Sequence, residues 1–248
     1  MKARLPAPFG SLIDRGKPIR FKFEGRHVDG FKGDTVASAL LANKHWLLSR
    51  SFKYHRPRGA LTMAGQDANT MVQLPSNPNA LADKELIKEG LSVLGQNYSG
   101  SLERDRGALI GLFSRFLPVG FYYKAFFKPR GMWEKWASLL RKKAGLGIID
   151  QQLVPGYYDK QYKFYDIVVI GGGPAGMQAA IDAAVDNCEV LIIDENPSLG
   201  GSLNYARFDP DGTRGKLVCE EMNSLIEAKN NITVMVNAVC NGWFADNW

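Results

Sequence analysis

Apolar and basic residues alternate along Ile19-Arg20-Phe21-Lys22-Phe23, the period of a strand with one buried face. Glu24-Gly25-Arg26 predicts a tight turn, and His27-Val28-Asp29-Gly30-Phe31 a returning strand. Gly33-Asp34-Thr35 then offers helix N-caps ahead of Val36–Ala42, whose apolar residues can share one core. Hairpin followed by helix is the opening of a β-grasp domain, in which a mixed sheet curls over one helix. Thr70–Leu74 predicts a further strand and Pro75–Asn79 a loop.

From Ala80 the period changes. Leu81, Leu86, Ile87, Leu91 and Leu94 recur at helical spacing and predict a helix over Ala80–Leu94. Met132–Lys143 predicts a second, amphipathic helix. Trp133, Trp136, Leu139 and Leu140 form its apolar stripe, with Lys135, Arg141, Lys142 and Lys143 mostly off it. Such a helix can lie on a membrane surface, but packing on a neighbouring domain or subunit is the plainer expectation. Gly145-Leu146-Gly147 closes it.

Tyr165–Ile170 is a nearly continuous apolar run, as expected of a parallel strand covered on both faces. It leads into Gly171-Gly172-Gly173-Pro174-Ala175-Gly176 and a helical stretch, Met177–Asp186. In this strand–turn–helix context the glycines carry chemistry. Gly171 allows the tight turn, Gly173 lets backbone approach a pyrophosphate, and Gly176 lets helix and strand pack closely. The helix N-terminus, with Pro174 and Ala175, presents N–H groups and partial positive charge to phosphates. No lysine followed by serine or threonine is present, which excludes an ATPase P-loop. Glu189–Ile193 predicts the next strand, ending in Asp194-Glu195, and Glu195 lies 19 residues after Gly176. Carboxylates there hold adenosine ribose hydroxyls and repel a 2′-phosphate, favouring NAD or FAD over NADP. The competing reading of Asp194-Glu195 is a solvated strand end. Leu199-Gly200-Gly201-Ser202 is a second glycine turn, spaced as in flavoproteins that bind two dinucleotides. Ile232–Val236 predicts one more strand, after which no residues remain for an isoalloxazine, nicotinamide or substrate pocket, so the chain reads as truncated.

Charge divides the chain at the same place as the patterning. Residues 1–150 carry 25 basic and 12 acidic side chains, residues 151–248 only 6 and 13. The expected organisation is a β-grasp domain over 1–80, a helical connector over 81–162 and a dinucleotide-binding domain over 163–248. Three cysteines, Cys188, Cys219 and Cys240, lack metal-ligand spacing and are too few for a disulfide framework. A reducing, cytoplasmic setting is expected, with no membrane and no nucleic-acid partner. The basic loop Lys53–Arg58 leaves three readings open: a subunit or domain interface, an anion or nucleotide contact, and nucleic acid.

Three stretches together resemble the α subunit of heterotetrameric sarcosine oxidase. They are Ser49–Gly59, Gly120–Lys124 with Trp133-Glu134 through Gly147, and the glycine fingerprint with Asp194-Glu195 and Leu199-Gly200-Gly201. The resemblance spans nearly the whole chain but only the N-terminal part of a family member. It implies a ferredoxin-type β-grasp domain without its cluster, a dinucleotide domain holding NAD, and partner subunits, with FAD and FMN and the sarcosine site on one of them. The family's folate-binding C-terminal region has no counterpart here. The implied reaction is oxidative demethylation of sarcosine to glycine, with one-carbon transfer to tetrahydrofolate and reduction of oxygen. Ser202 stands where relatives usually carry arginine. Residues 43–75 hold no cysteine, nor does anything before Cys188, so no iron–sulfur cluster is expected. The expected cofactor is NAD, with FAD the alternative, held by Gly171, Gly173, Pro174, Ala175, Gly176, Asp194, Glu195, Gly201 and Ser202. No catalytic and no metal-ligating residue is assigned, and the chain alone is expected to be inactive. Rival readings are the equivalent subunit of another amine or imino-acid oxidoreductase (opine, proline or hydroxyproline) and a non-catalytic binding module.

Overall fold

The computed structural model describes residues 3–116, 120, 129–144, 147–154, 156–185 and 188–244. Phe121–Lys124 of the family-like stretch, Gly145-Leu146 and Asp186 lie outside them. The chain is mixed α/β and divides into two compact units. One is Met1–Arg4 with Ile13–Val154, the other Leu5–Leu12 with Pro155–Trp248. Among the described residues no helix is long and apolar enough to cross a membrane.

In the first unit β1 (Asp14–Phe23) and β2 (Arg26–Lys32) form the antiparallel hairpin, pairing Phe23 with Arg26. Glu24 and Gly25 both take positive φ, 51° and 74°, which matches the twist of the flanking strands. Glu24 holds this geometry through its side chain, which accepts from Gly95 N–H at 2.6 Å and from the Tyr98 hydroxyl at 2.7 Å. Helix α1 (Val36–Ala42) starts at Thr35, which exchanges side-chain and backbone hydrogen bonds with Ser38. Its Val36, Ala37, Ala39 and Leu40 are fully buried beside Phe21, Leu48, Val72, Val93 and Leu102. The short ladders β3 (Ser49–Arg50) with β4 (Pro57–Arg58), and β5 (Met71–Val72) with β6 (Ala80–Leu81), close the unit. The strand expected over Thr70–Leu74 is thus two residues, preceded by a 3-10 turn at Ala68–Thr70.

The helix expected over Ala80–Leu94 does not form. That segment holds β6 and then β7 (Ser92–Val93), which pairs parallel with β1 and makes the sheet order β2-β1-β7. Apart from local turns at Leu81–Glu85 and Lys88–Leu91, its backbone groups bond other segments. Val36 N–H reaches Glu85 O at 2.8 Å, Ala37 N–H reaches Ala82 O at 2.7 Å, and Glu24 N–H reaches Val93 O at 3.0 Å. Covering α1 and the sheet edge outweighs a helical period that would have buried little. A boundary at residue 80 is therefore wrong, because β7 belongs to the first unit's sheet. The amphipathic helix does form, as α2 (Trp133–Ala144), with Trp133 and Leu139 exposed.

The second unit is an all-parallel sheet in the order β10-β9-β8, from β8 (Ile167–Ile170), β9 (Val190–Ile193) and β10 (Ile232–Met235). Helix α3 (Pro174–Ala183) connects β8 to β9, and α4 (Arg214–Glu227) lies between β9 and β10. Met177, Ala180, Val190, Ile192, Met222 and Ile226 form the core. The strand expected to be covered on both faces, β8, is instead an edge strand, with Ile167, Val168 and Ile170 exposed. Burial on both faces belongs to the central β9. Helix α4 escaped the sequence reading. Its buried Cys219, Met222 and Ile226 recur at helical spacing, but exposed Leu217 and Leu225 blur the stripe.

Candidate functional site

The fingerprint turn sits between the C-terminal end of β8 and the start of α3. Gly171 has φ +101°, a conformation that side chains disfavour, and its N–H bonds Ile193 O on β9 at 2.8 Å. At Gly176 a Cβ would lie 1.8 Å from Gly171 O, so helix and turn meet there without room for any side chain. Helix α3 begins on Gly173 with Pro174 at its first position, three residues earlier than expected. Proline has no N–H to lose there, and Ala175 and Gly176 follow in the first turn, whose amides have no intrahelical acceptor. A Cβ at Gly173 would meet nothing within 4 Å. Open space therefore faces the N-terminal end of a ten-residue helix, the geometry an anionic phosphate fits.

The second glycine turn is tied to the first. Gly200 N–H donates to Gly172 O at 2.8 Å, and a Cβ on Gly201 would lie 2.9 Å from Gly173 Cα. Ser202 sits in the 3-10 turn Gly201–Asn204, its carbonyl accepting from Ala206 N–H at 2.9 Å. Cys219 packs under this turn, 3.8 Å from Leu199 O, and burial pushes its thiol pKa up. That is the environment of a structural cysteine, not a nucleophile. The three cysteines are free, and among the described residues no group of three or more His, Cys, Asp or Glu is placed to hold a metal ion.

Asp194 and Glu195, read together from sequence, occupy different environments. Asp194 is buried and accepts from Gly172 N–H at 2.6 Å and from Asn196 N–H at 2.7 Å. Glu195 follows half-buried just past the end of β9. Gly172 and Leu199, which belong to the two glycine turns but not to the expected set of cofactor-binding residues, also shape the site. A Cβ on Gly172 would come within 2.3 Å of the buried Leu199 side chain. The run of three glycines was the available signal.

The first unit spends its buried polar groups differently. Asp83 accepts from Gly65 N–H at 2.7 Å, Gln66 N–H at 3.0 Å and Asp67 N–H at 3.2 Å. Asp67 accepts from Leu61 N–H at 2.7 Å and Asn69 N–H at 2.9 Å. The basic hairpin stands on a second network. Arg50 donates to the carbonyls of Leu102, His55 and Glu103 at 2.7, 2.9 and 3.0 Å, and His55 Nδ1 lies 2.6 Å from Asp105 Oδ2. At its tip Lys53 and Arg56 both lie over the Tyr54 ring, 4.8 and 4.9 Å from the centroid.

Comparison with known proteins places both units. Residues 16–98 match the 2Fe-2S iron-sulfur cluster binding domain family and residues 166–233 the FAD dependent oxidoreductase family. The sarcosine oxidase α subunit of Rhizobium meliloti (strain 1021) is 40% identical over 245 residues, covering 97% of this chain and 25% of that protein. Along nearly its whole length the chain is similar to sarcosine oxidase α subunits. The sarcosine oxidase α subunit of Corynebacterium sp. (strain P-1) is 29% identical over 205 residues, 82% of this chain and 17% of that protein. An opine oxidase subunit of Agrobacterium tumefaciens (strain Ach5) is 48% identical over 50 residues, 19% of this chain and 10% of that protein. The chain thus spans a quarter or less of the sarcosine oxidase subunits it matches.

These matches correct the expected cofactors. The first unit is similar to 2Fe-2S cluster binding domains, which overturns the expectation of a cluster-free type, and the second match puts FAD ahead of NAD. Residues 16–98 contain no cysteine, and Asp67 and Asp83 are already committed to amides, so the side chains of this stretch do not fit a thiolate-held cluster. The fingerprint turn, with open space at Gly173, does fit the pyrophosphate of FAD.

Proposed function

We propose that the chain is the FAD-binding segment of an α subunit in a sarcosine oxidase-type complex, acting on CH–NH bonds. The proposed fold is a β-grasp unit followed by a Rossmann-type unit over residues 163–248. The observation that carries the reading is the open turn between β8 and α3, in a chain 40% identical over 97% of its length to a sarcosine oxidase α subunit. In this reading Gly173, Ala175 and Gly176, with Pro174, Gly201 and Ser202 around them, face the pyrophosphate, and Glu195 accepts the adenosine ribose hydroxyls. Bound FAD supplies a two-electron acceptor. The chain's own residues bind and orient the cofactor's adenosine diphosphate half. The substrate is sarcosine and the partners are the other subunits of the complex, without which the chain does not turn over.

The test is calorimetric titration of the full chain with FAD, ADP and NAD, followed by an oxygen-uptake assay with sarcosine after co-expression with partner subunits. FAD and ADP binding, and uptake only in the complex, are expected; no binding of any adenine nucleotide sinks the proposal. The 48% identity to an opine oxidase subunit favours one second reading, an opine-type amine oxidoreductase. Oxygen uptake with opines but not sarcosine would select it.

A further inference from the structure

We propose that Asp194 is a positioning residue that sets the fingerprint turn from beneath and makes no contact with the ribose. The inference rests on the reading that this turn binds an adenine dinucleotide. Asp194 is 6% exposed, and each carboxylate oxygen already has an amide partner. Oδ2 takes the Gly172 N–H at 2.6 Å and Oδ1 the Asn196 N–H at 2.7 Å. Its backbone is fixed as well, with its N–H on Met235 O at 2.9 Å and its carbonyl accepting from Ala238 N–H at 3.0 Å. One residue therefore joins the fingerprint turn to the ends of β9 and β10.

The consequence falls on Gly172. Its N–H is held by Asp194 and its carbonyl by Gly200 N–H at 2.8 Å, so the peptide planes on both sides of it are oriented. Gly173 comes next, and with it the N-terminal turn of α3 that faces the open space. A carboxylate serves here because it is an acceptor at both oxygens, and both bonds are charge-assisted. Buried below a site for phosphates, its negative charge would repel them if it were not met by two N–H donors. Glu195 is left as the carboxylate that selects the ribose.

A coupling experiment on the full chain separates the two roles, using ADP and 2′-deoxy-ADP as probes. Removing the 2′-hydroxyl should weaken binding to the wild type by about tenfold, the loss of one charge-assisted hydrogen bond. Glu195→Ala should be insensitive to that removal, because the contact is already gone. Asp194→Asn should weaken ADP by about tenfold yet keep the full penalty for 2′-deoxy-ADP. Asp194→Glu, with the charge retained and the reach altered, should not restore affinity. Loss of the 2′-deoxy penalty in Asp194→Asn would make Asp194 a ribose ligand and overturn the proposal, as would ADP affinity unchanged by that substitution. The Gly172 amide gives a readout independent of ligand and of variant folding. In the nucleotide-free wild type it should be strongly protected from hydrogen exchange, and an unprotected Gly172 amide overturns the proposal. Failure of the wild type to bind ADP, with Gly172 protected, sinks the binding reading and leaves the clamp itself standing.

Discussion

Two glycine-containing loops in this chain gather backbone N–H groups, and they end in opposite states. The loop over residues 61–69 turns six of its amides onto Asp67 and Asp83, so its acceptors are part of the chain and the cradle is closed. The turn over 171–176 sends Gly171 N–H to Ile193 O and Gly172 N–H to Asp194, and leaves open space beside Gly173 at the start of α3. Converging amides favour negative charge in both places. Around 61–69 the chain's own carboxylates take the converging amides and make a structural knot; beside Gly173 the space stays open. Amide convergence alone is therefore a poor indicator of a ligand site, and the decisive observation is whether an internal anion already fills it.

The largest expected effect tests the closed cradle. Asp83→Ala leaves the amides of Gly65, Gln66 and Asp67 without that acceptor and should cost about 4 kcal/mol of stability. Urea unfolding followed by circular dichroism checks this, and added ADP should not recover the loss. A midpoint equal to wild type would mean that the knot holds nothing together. On the open cradle, Gly176→Val drives a side chain into Gly171 O, where even a Cβ would lie at 1.8 Å. Overpacking against backbone should cost stability at the upper end of the usual range, about 3 kcal/mol, and the displaced turn should bind ADP more weakly than wild type. Retained affinity in calorimetry would place the ligand elsewhere. Glu195→Ala should weaken ADP and FAD by about ten- to thirtyfold, with the urea midpoint unchanged. That split between binding and stability is the reverse of the Asp83 result, and a loss of stability instead would class Glu195 with the closed cradle.

The smallest effect is alkaline and belongs to the first unit. Burial, then the hydrogen bond to Glu24, pushes the Tyr98 phenol above its usual value of 10.0. A raised folded-state pKa means that its stabilising contribution is fully present below 10.0 and is lost as pH rises through the folded value. Spectrophotometric titration at tyrosinate wavelengths should show a late phase that disappears in Tyr98→Phe. A titration unaltered by that substitution would contradict the half-buried Glu24–Tyr98 contact.

Elements whose bonds are local were legible in the sequence. The β1–β2 hairpin, the Thr35 cap of α1 and the Gly171–Gly176 turn each follow from short-range sterics and hydrogen bonding, and each occurs where the pattern places it. Segment 80–94 was misread because a helical period can arise by chance when its apolar residues serve different neighbours. Ile87 and Val93 enter the core, while Leu86 and Leu91 are only partly covered. Helix α4 was missed for the complementary reason, that its exposed leucines hide a buried stripe of only three or four positions.

The sequence by itself determined where the glycine turn lies, because Gly171 and Gly176 answer to backbone geometry within six residues. It also determined that a carboxylate stands at the end of β9. Which of two adjacent carboxylates is buried under the turn was decided only by tertiary structure. Asp194 and Glu195 differ by one position, and successive side chains along an extended chain point to opposite sides. Only the folded sheet brings Gly172, 22 residues earlier in the chain, to within 2.6 Å of one of them. The same holds for Asp83, whose amide partners lie 16 to 18 residues away and which no local pattern distinguishes from a solvated surface aspartate.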